Sequence, residues 1–181
     1  MKKYLALVLA AILCASFTFS ACADKGDDLV PFTWEDVKGQ ADSILEGGRF
    51  IRFYQAHLMV WMPSSYLEVA LTRQDINDGV IGYYLHNGTE PYGMEVVYLQ
   101  LGLQSREAYE QRILSEGAED VLFTTINGKP GMVFNRPGKN AVCAAILDEF
   151  GAVTEFRFFP ASSEGFYFEA QMMICSIQPL S

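Results

Sequence analysis

Two Asn-Gly pairs, Asn87-Gly88 and Asn127-Gly128, each lie between runs rich in Val, Ile, Phe and Tyr. Such a pair tolerates the left-handed backbone of a tight turn and is the strongest short signal for a β-hairpin. The first hairpin runs from Val80 to Leu85 and from Met94 to Leu101, joined through Asn87-Gly88 and Pro91. The second pairs Val121 to Ile126 with Met132 to Asn135. The turn Pro137-Gly138-Lys139-Asn140 leads on into Ala141 to Leu147, and Gly151 into Val153 to Phe159, where Pro160 ends the meander. Strands joined by short turns pair antiparallel, because a parallel pair needs a long crossover.

Helical patterns lie between these strands. Thr33 followed by Asp36 has capping-box spacing, and Trp34, Val37, Ala41, Ile44 and Leu45 recur at helical intervals up to Gly47-Gly48. From Arg49 to Met62 the text reads as strand, with a change of phase at Gln55-Ala56-His57 that marks either a hairpin turn or a bulge. Pro63-Ser64-Ser65 closes it. Ser105 caps a helix to about Ser115, with Ala108, Tyr109, Ile113 and Leu114 as its apolar side and Gly117 as its stop. Ser162 or Ser163 caps a last helix that aligns Phe166, Ala170, Met173, Ile174 and Ile177. Helix, strands, helix, meander, helix, with no βαβ repetition, predicts one α+β domain over residues 32–181: an antiparallel sheet flanked by helices.

The first residues read as an address. Lys2-Lys3 precedes an apolar run from Tyr4 to Phe19 with no charge, the layout of a secretory signal over residues 1–21. Phe19-Ser20-Ala21-Cys22 resembles a bacterial lipobox, with Phe19 where Leu is usual, and makes Cys22 the expected lipidation site. The rival is ordinary cleavage after Ala21-Cys22-Ala23. The lipobox reading makes residues 22–31 a lipid-anchored tether and holds the domain on the cell membrane, on its extracytoplasmic face.

Half the chain is apolar and its formal charge is −9. Loss of Lys2 and Lys3 with the signal takes that to about −11, a surface that repels phosphate backbones and sets nucleic-acid binding aside. Outside the first 22 residues stand Cys143 and Cys175. Export permits a disulfide between them, while their apolar surroundings suit small buried hydrophobes.

No catalytic motif stands out, and we expect no cofactor, metal site or catalytic residue. The two histidines, His57 in a strand and His86 beside a turn, read as ordinary surface or core residues. Asp75-Ile76-Asn77-Asp78-Gly79 opens like an EF-hand loop, but its glycine comes one position early and His86 stands where the bidentate Glu belongs. A turn or loop is the better reading. Among the aromatic residues Phe150, Phe156, Phe158, Phe159, Phe166, Tyr167 and Phe168, most belong to the core. Phe156 and Phe158 share a strand face that Phe159 does not, and Phe168 lies off the helix stripe, so Phe159, Tyr167 and Phe168 form the candidate protein-binding patch.

Four stretches carry a family resemblance: Leu58-Met59-Val60-Trp61-Met62-Pro63-Ser64-Ser65-Tyr66, the helix start Ser105-Arg106-Glu107-Ala108-Tyr109, the turn Ile126-Asn127-Gly128-Lys129-Pro130, and Ile174-Cys175-Ser176-Ile177. Together they resemble the PsbP-like fold family, which also holds DcrB-type bacterial lipoproteins and the Ran-binding Mog proteins. That resemblance implies the α+β fold and a non-enzymatic role in binding proteins or supporting assembly. It transfers no functional residue. The alternatives are a small-ligand or cation-binding lipoprotein, or a cell-envelope hydrolase using clustered carboxylates.

Overall fold

The computed structural model describes residues 30–44, 47–88, 91–162 and 164–180. The signal, Cys22 and the tether up to Leu29 lie outside them, as do Leu45 and Ser163. The strands are β1 (Val30–Phe32), β2 (Gly48–Phe53), β3 (Leu58–Pro63), β4 (Tyr66–Glu68), β5 (Val80–His86), β6 (Gly93–Gln100), β7 (Glu119–Ile126), β8 (Lys129–Arg136), β9 (Ala141–Leu147), β10 (Ala152–Phe159) and β11 (Gln178–Pro179). The helices are α1 (Trp34–Ile44), α2 (Arg73–Asn77), α3 (Arg106–Ser115) and α4 (Glu164–Cys175).

An eight-stranded sheet has the order β1-β7-β8-β9-β10-β6-β5-β4, and a second, three-stranded sheet the order β11-β3-β2. The hairpins and the meander fall where the turn residues put them, so the α+β expectation holds. Two features sharpen it. The strand region near the N-terminus forms its own small sheet, and β1 joins β7 in a parallel pair, Val30 opposite Thr124. The phase change after Phe53 is a hairpin turn: Tyr54–Ala56 is a short 3-10 turn closed by His57 at φ 52°. His57 therefore belongs to a turn and not to a strand.

Strand alternation sends side chains to two cores. Val142, Ala144 and Ile146 of β9 join Phe156 and Phe158 of β10 on one face, where Phe166, Ala170, Met173 and Ile174 of α4 meet Phe53, Leu58, Val60 and Met62 of the small sheet. Burying Phe156 and Phe158 is worth about 1.5–3 kcal/mol each. The opposite face carries Ala141, Cys143 and Ala145 of β9 with Met132 and Phe134, covered by Tyr109 and Ile113 of α3. Leu114 was expected on that apolar side but stays exposed. Cys143 and Cys175 thus lie in different cores on opposite faces of the large sheet, both as free buried thiols.

Asn127 ties the ends of the domain together. It takes the left-handed turn conformation at φ 46°. Its Oδ1 accepts from Trp34 N at 2.9 Å, capping the start of α1, while its Nδ2 donates to the carbonyls of Cys175 and Ile177, both at 2.7 Å. Its backbone N–H donates to Phe32 O at 2.8 Å. One turn residue fixes β1, α1 and the segment after α4.

Candidate functional site

The most concentrated chemistry sits beneath α3. Glu155 is fully buried at the centre of β10, on the face that Phe156 and Phe158 do not use. Arg157, two residues on, shares that face, and Arg136 reaches it from β8 across β9. Glu155 Oε1 accepts from Arg136 Nε and Arg157 Nε, both at 2.7 Å. Its Oε2 accepts from Arg136 Nη2 at 3.0 Å and from Tyr109 Oη at 2.6 Å. The chain of charges runs outward from there: Arg157 Nη1 to Glu95 at 2.6 Å, Arg136 Nη1 to Glu116 at 3.1 Å, and Arg112 to Glu116 at 3.0 Å. Glu95, Glu116 and Glu155 face Arg112, Arg136 and Arg157, so the charges balance.

Electrostatics fix each protonation state. Burial pushes the Glu155 carboxyl up, but the hydrogen bonds from Arg136 and the charge of Arg157 outweigh it and hold it at about 2. Burial, reinforced by the Glu155 charge, raises the Tyr109 phenol and the Cys143 thiol well above their ordinary values. A carboxylate that already accepts four hydrogen bonds has no lone pair to offer as a general base, and a protonated buried thiol is no nucleophile. This cluster pins α3 to the sheet.

A second polar contact joins β4 to α4. Tyr66 Oη donates to Glu169 Oε2 at 2.6 Å, and burial and this carboxylate raise the Tyr66 phenol. Its ring meets His86 edge-on at 5.3 Å, His86 lies 5.9 Å from Tyr92, and Tyr92 stacks on Phe166 at 4.9 Å. His86 Nδ1 accepts from Gly88 N at 2.9 Å. His57 and His86 are thus a turn closure and an aromatic contact.

Of the segment opening at Asp75, Asp75–Asn77 complete the short helix α2 and Asp78-Gly79 form a turn, so the turn-or-loop expectation holds for its second part only. Thr72 Oγ1 and Thr72 N both donate to Asp75 Oδ2 at 2.7 Å, and Asp75 N donates back to Thr72 Oγ1, a complete capping box. Gln74 occupies both carboxylate oxygens of Asp78 at 3.0 Å. The EF-hand-like text therefore spends its acids on the helix. Among the described residues no cluster of three or more His, Cys, Asp or Glu is arranged to hold a metal.

The three patch residues lie apart. Phe159 is half-buried on the α3 face and stacks on Tyr83 at 5.9 Å and 18°. Tyr167 packs against the other core and donates its hydroxyl to Ala161 O. Phe168 projects from α4, 36% exposed. The large sheet separates Phe159 from the other two. More open aromatic surface lies elsewhere: Phe150, 82% exposed in the β9–β10 turn, Tyr54 in the β2–β3 turn, and Phe50 on β2. Phe150 also lines a shallow depression of about 390 Å³ with Tyr98, Gln100, Gly102 and Ala152, a lining without a carboxylate.

Neither a family model nor a curated protein sequence matches the chain. Solved structures do. Cyanobacterial PsbP (CyanoP) from Synechocystis sp. PCC 6803 is similar with a TM-score of 0.51 and 10% identity, over 89% of this chain and 98% of that one. The Ran-binding protein Mog1p of Saccharomyces cerevisiae has a TM-score of 0.45 and 12% identity, over 75% of this chain and 96% of that one. At such identities only the first likeness bears on the fold, and it bears on nothing else. The fold is PsbP-like.

Proposed function

We propose that this chain is an exported lipoprotein, anchored through Cys22 on the extracytoplasmic face of the cell membrane, whose domain is a non-enzymatic protein-binding or accessory module. One observation carries the second half. The domain's most concentrated buried charge is consumed in holding it together, with both oxygens of Glu155 engaged by Arg136, Arg157 and Tyr109. Among the large apolar side chains it exposes are four aromatics, Phe150, Tyr54, Phe50 and Phe168, beside Leu67, Ile76, Leu114 and Leu122. Exposed aromatic side chains are the residues through which protein interfaces gain most of their affinity. The first half rests on Lys2-Lys3, the apolar run after it and the small residues before Cys22.

Two measurements test the reading. Mass spectrometry of the mature N-terminus should find a diacylated Cys22; an unmodified chain beginning at Asp24 removes the anchor. A photo-crosslinking residue at Phe150, Tyr54, Phe50 or Phe168 should give a discrete adduct in cells, where one at the exposed Glu149 gives none. No adduct from any of the four removes the binding role.

A further inference from the structure

We propose that the outer edge of β2 accepts an extended acidic segment of a partner protein as an added strand. This rests on the binding-module reading and assigns the surface that performs it. β2 is the terminal strand of the small sheet, paired on one side only. The direction of its backbone follows from β3. Trp61 N–H donates to Ser176 Oγ at 2.8 Å, and His57 O, four residues earlier and in phase with it, accepts from Leu180 N at 3.0 Å, so the Trp61 backbone points toward the β11 side. Leu58, Val60 and Met62, one residue out of phase, point toward β2 and meet Phe53, Ile51 and Arg49 there. The N–H and C=O groups of Gly48, Phe50 and Arg52 therefore point away from the sheet. Among the described residues Phe50 and Arg52 have no hydrogen-bond partner on that side.

Edge strands are ordinarily kept short, bulged, broken by proline or covered. β2 is six residues long, pairs with β3 in continuous register, and holds no proline. Its side chains name the occupant. Arg49 and Arg52 are exposed, and neither is in an ion pair among the described residues. They stand on a strand without an acid, in a chain with 22 acidic and 13 basic residues. A second copy laid against this edge would gather four guanidinium groups on two paired strands, an arrangement that like charge disfavours. A strand carrying carboxylates meets the opposite sign. Phe50 and Arg52 share the outer face, where Trp34 meets Phe50 edge-on at 5.8 Å. The added strand would turn its carboxylates to the face of Phe50 and Arg52 and its apolar residues to the face of Ile51 and Phe53, the main chain supplying affinity and the alternation supplying selectivity.

Amide hydrogen exchange read by NMR on the full mature chain tests this, with an end-blocked peptide of alternating Glu and Val as probe and its Lys-Val counterpart as control. Without probe, the amides of Arg49, Ile51 and Phe53 exchange slowly because β3 holds them, and those of Phe50 and Arg52 exchange fast. The Glu-Val peptide should slow Phe50 and Arg52 about tenfold or more. Arg52→Glu should weaken its binding about tenfold and reverse the preference between the two peptides. Three results overturn the proposal: no slowing at Phe50 and Arg52 with millimolar peptide, equal slowing by the Lys-Val peptide, or slowing that grows with protein concentration alone, which marks pairing of two copies. Any of these alongside a discrete cellular adduct from Phe150 removes the β2 site and leaves the binding module standing. The same results with no adduct from any of the four aromatic positions remove both.

Discussion

Glu155 lies in a run of apolar strand residues, and its partners come from three elements. Arg157 is two residues away, Arg136 nineteen and Tyr109 forty-six. Replacing it by Gln leaves two guanidinium groups facing one neutral amide. Breaking a buried pair on one side costs about 3–5 kcal/mol, which urea unfolding of Glu155→Gln should read. The same residue sets an acid limit. Its folded-state value, lowered from 4.5 to about 2, adds stability that is full above the ordinary carboxylate range and is lost as pH falls toward 2. About 3 kcal/mol should disappear across that window, and Glu155→Gln should flatten the profile there. Asn127 makes the complementary case. Asn127→Ala forfeits three side-chain hydrogen bonds and strains a left-handed backbone, at a cost of about 2–4 kcal/mol in the same assay. Asn127→Gly keeps the backbone and should recover part of it. The turn role of Asn127 was legible in the Asn-Gly pair, because it is local. Its side-chain bonds and the Glu155 cluster were not, because they join residues far apart in the chain. One sign was available: Glu155 and Arg157 sit two apart in an alternating strand and so share a face.

Hairpins were the most readable elements, since turn residues and strand alternation are both written within about ten residues. β1, β4 and β11 were not read, each being two or three residues long and formed only where a neighbour offers an edge. α2 escaped because Asp75 and Asp78 suggest cation ligands until Thr72 is seen to complete a capping box. The candidate patch illustrates the same limit: alternation placed Phe159 opposite Phe158 correctly, yet no local pattern says which face α4 will cover. Between elements, Ser176 joins the small sheet to α4. Its Oγ accepts from Trp61 N and donates to Met173 O at 2.7 Å. Ser176→Ala strands a buried N–H and should cost about 1–3 kcal/mol. Trp61 is the more buried of the two tryptophans, so a red-shifted emission before the main unfolding transition would report the loosened sheet. Gly48 is constrained in another way. A Cβ there would lie 2.3 Å from the Trp61 ring, so Gly48→Ala should displace that ring and shift the same emission.

Across the whole domain, Cys143 and Cys175 lie in two cores on opposite faces of the large sheet, one beneath α3 and one beside α4. Burial holds the Cys143 thiol protonated and takes Cys175 to about 12, with Asp36 adding to the second. Cys143 and Cys175 should therefore resist a thiol reagent at neutral pH and react together once urea unfolds the chain. Reaction of Cys175 alone would show α4 opening as a separate unit. The disulfide that export permits does not form across the sheet. The parallel contact of β1 with β7 has one more consequence, a mechanical one. A pull applied to the chain ahead of Val30, along the axis of β1, loads the bonds to β7 in shear, so that they yield together. Drawn off sideways, the same three residues would peel away one at a time. Tension directed along β1 thus meets the more resistant of the two geometries, with the Asn127 bond to α1 as the next restraint behind it.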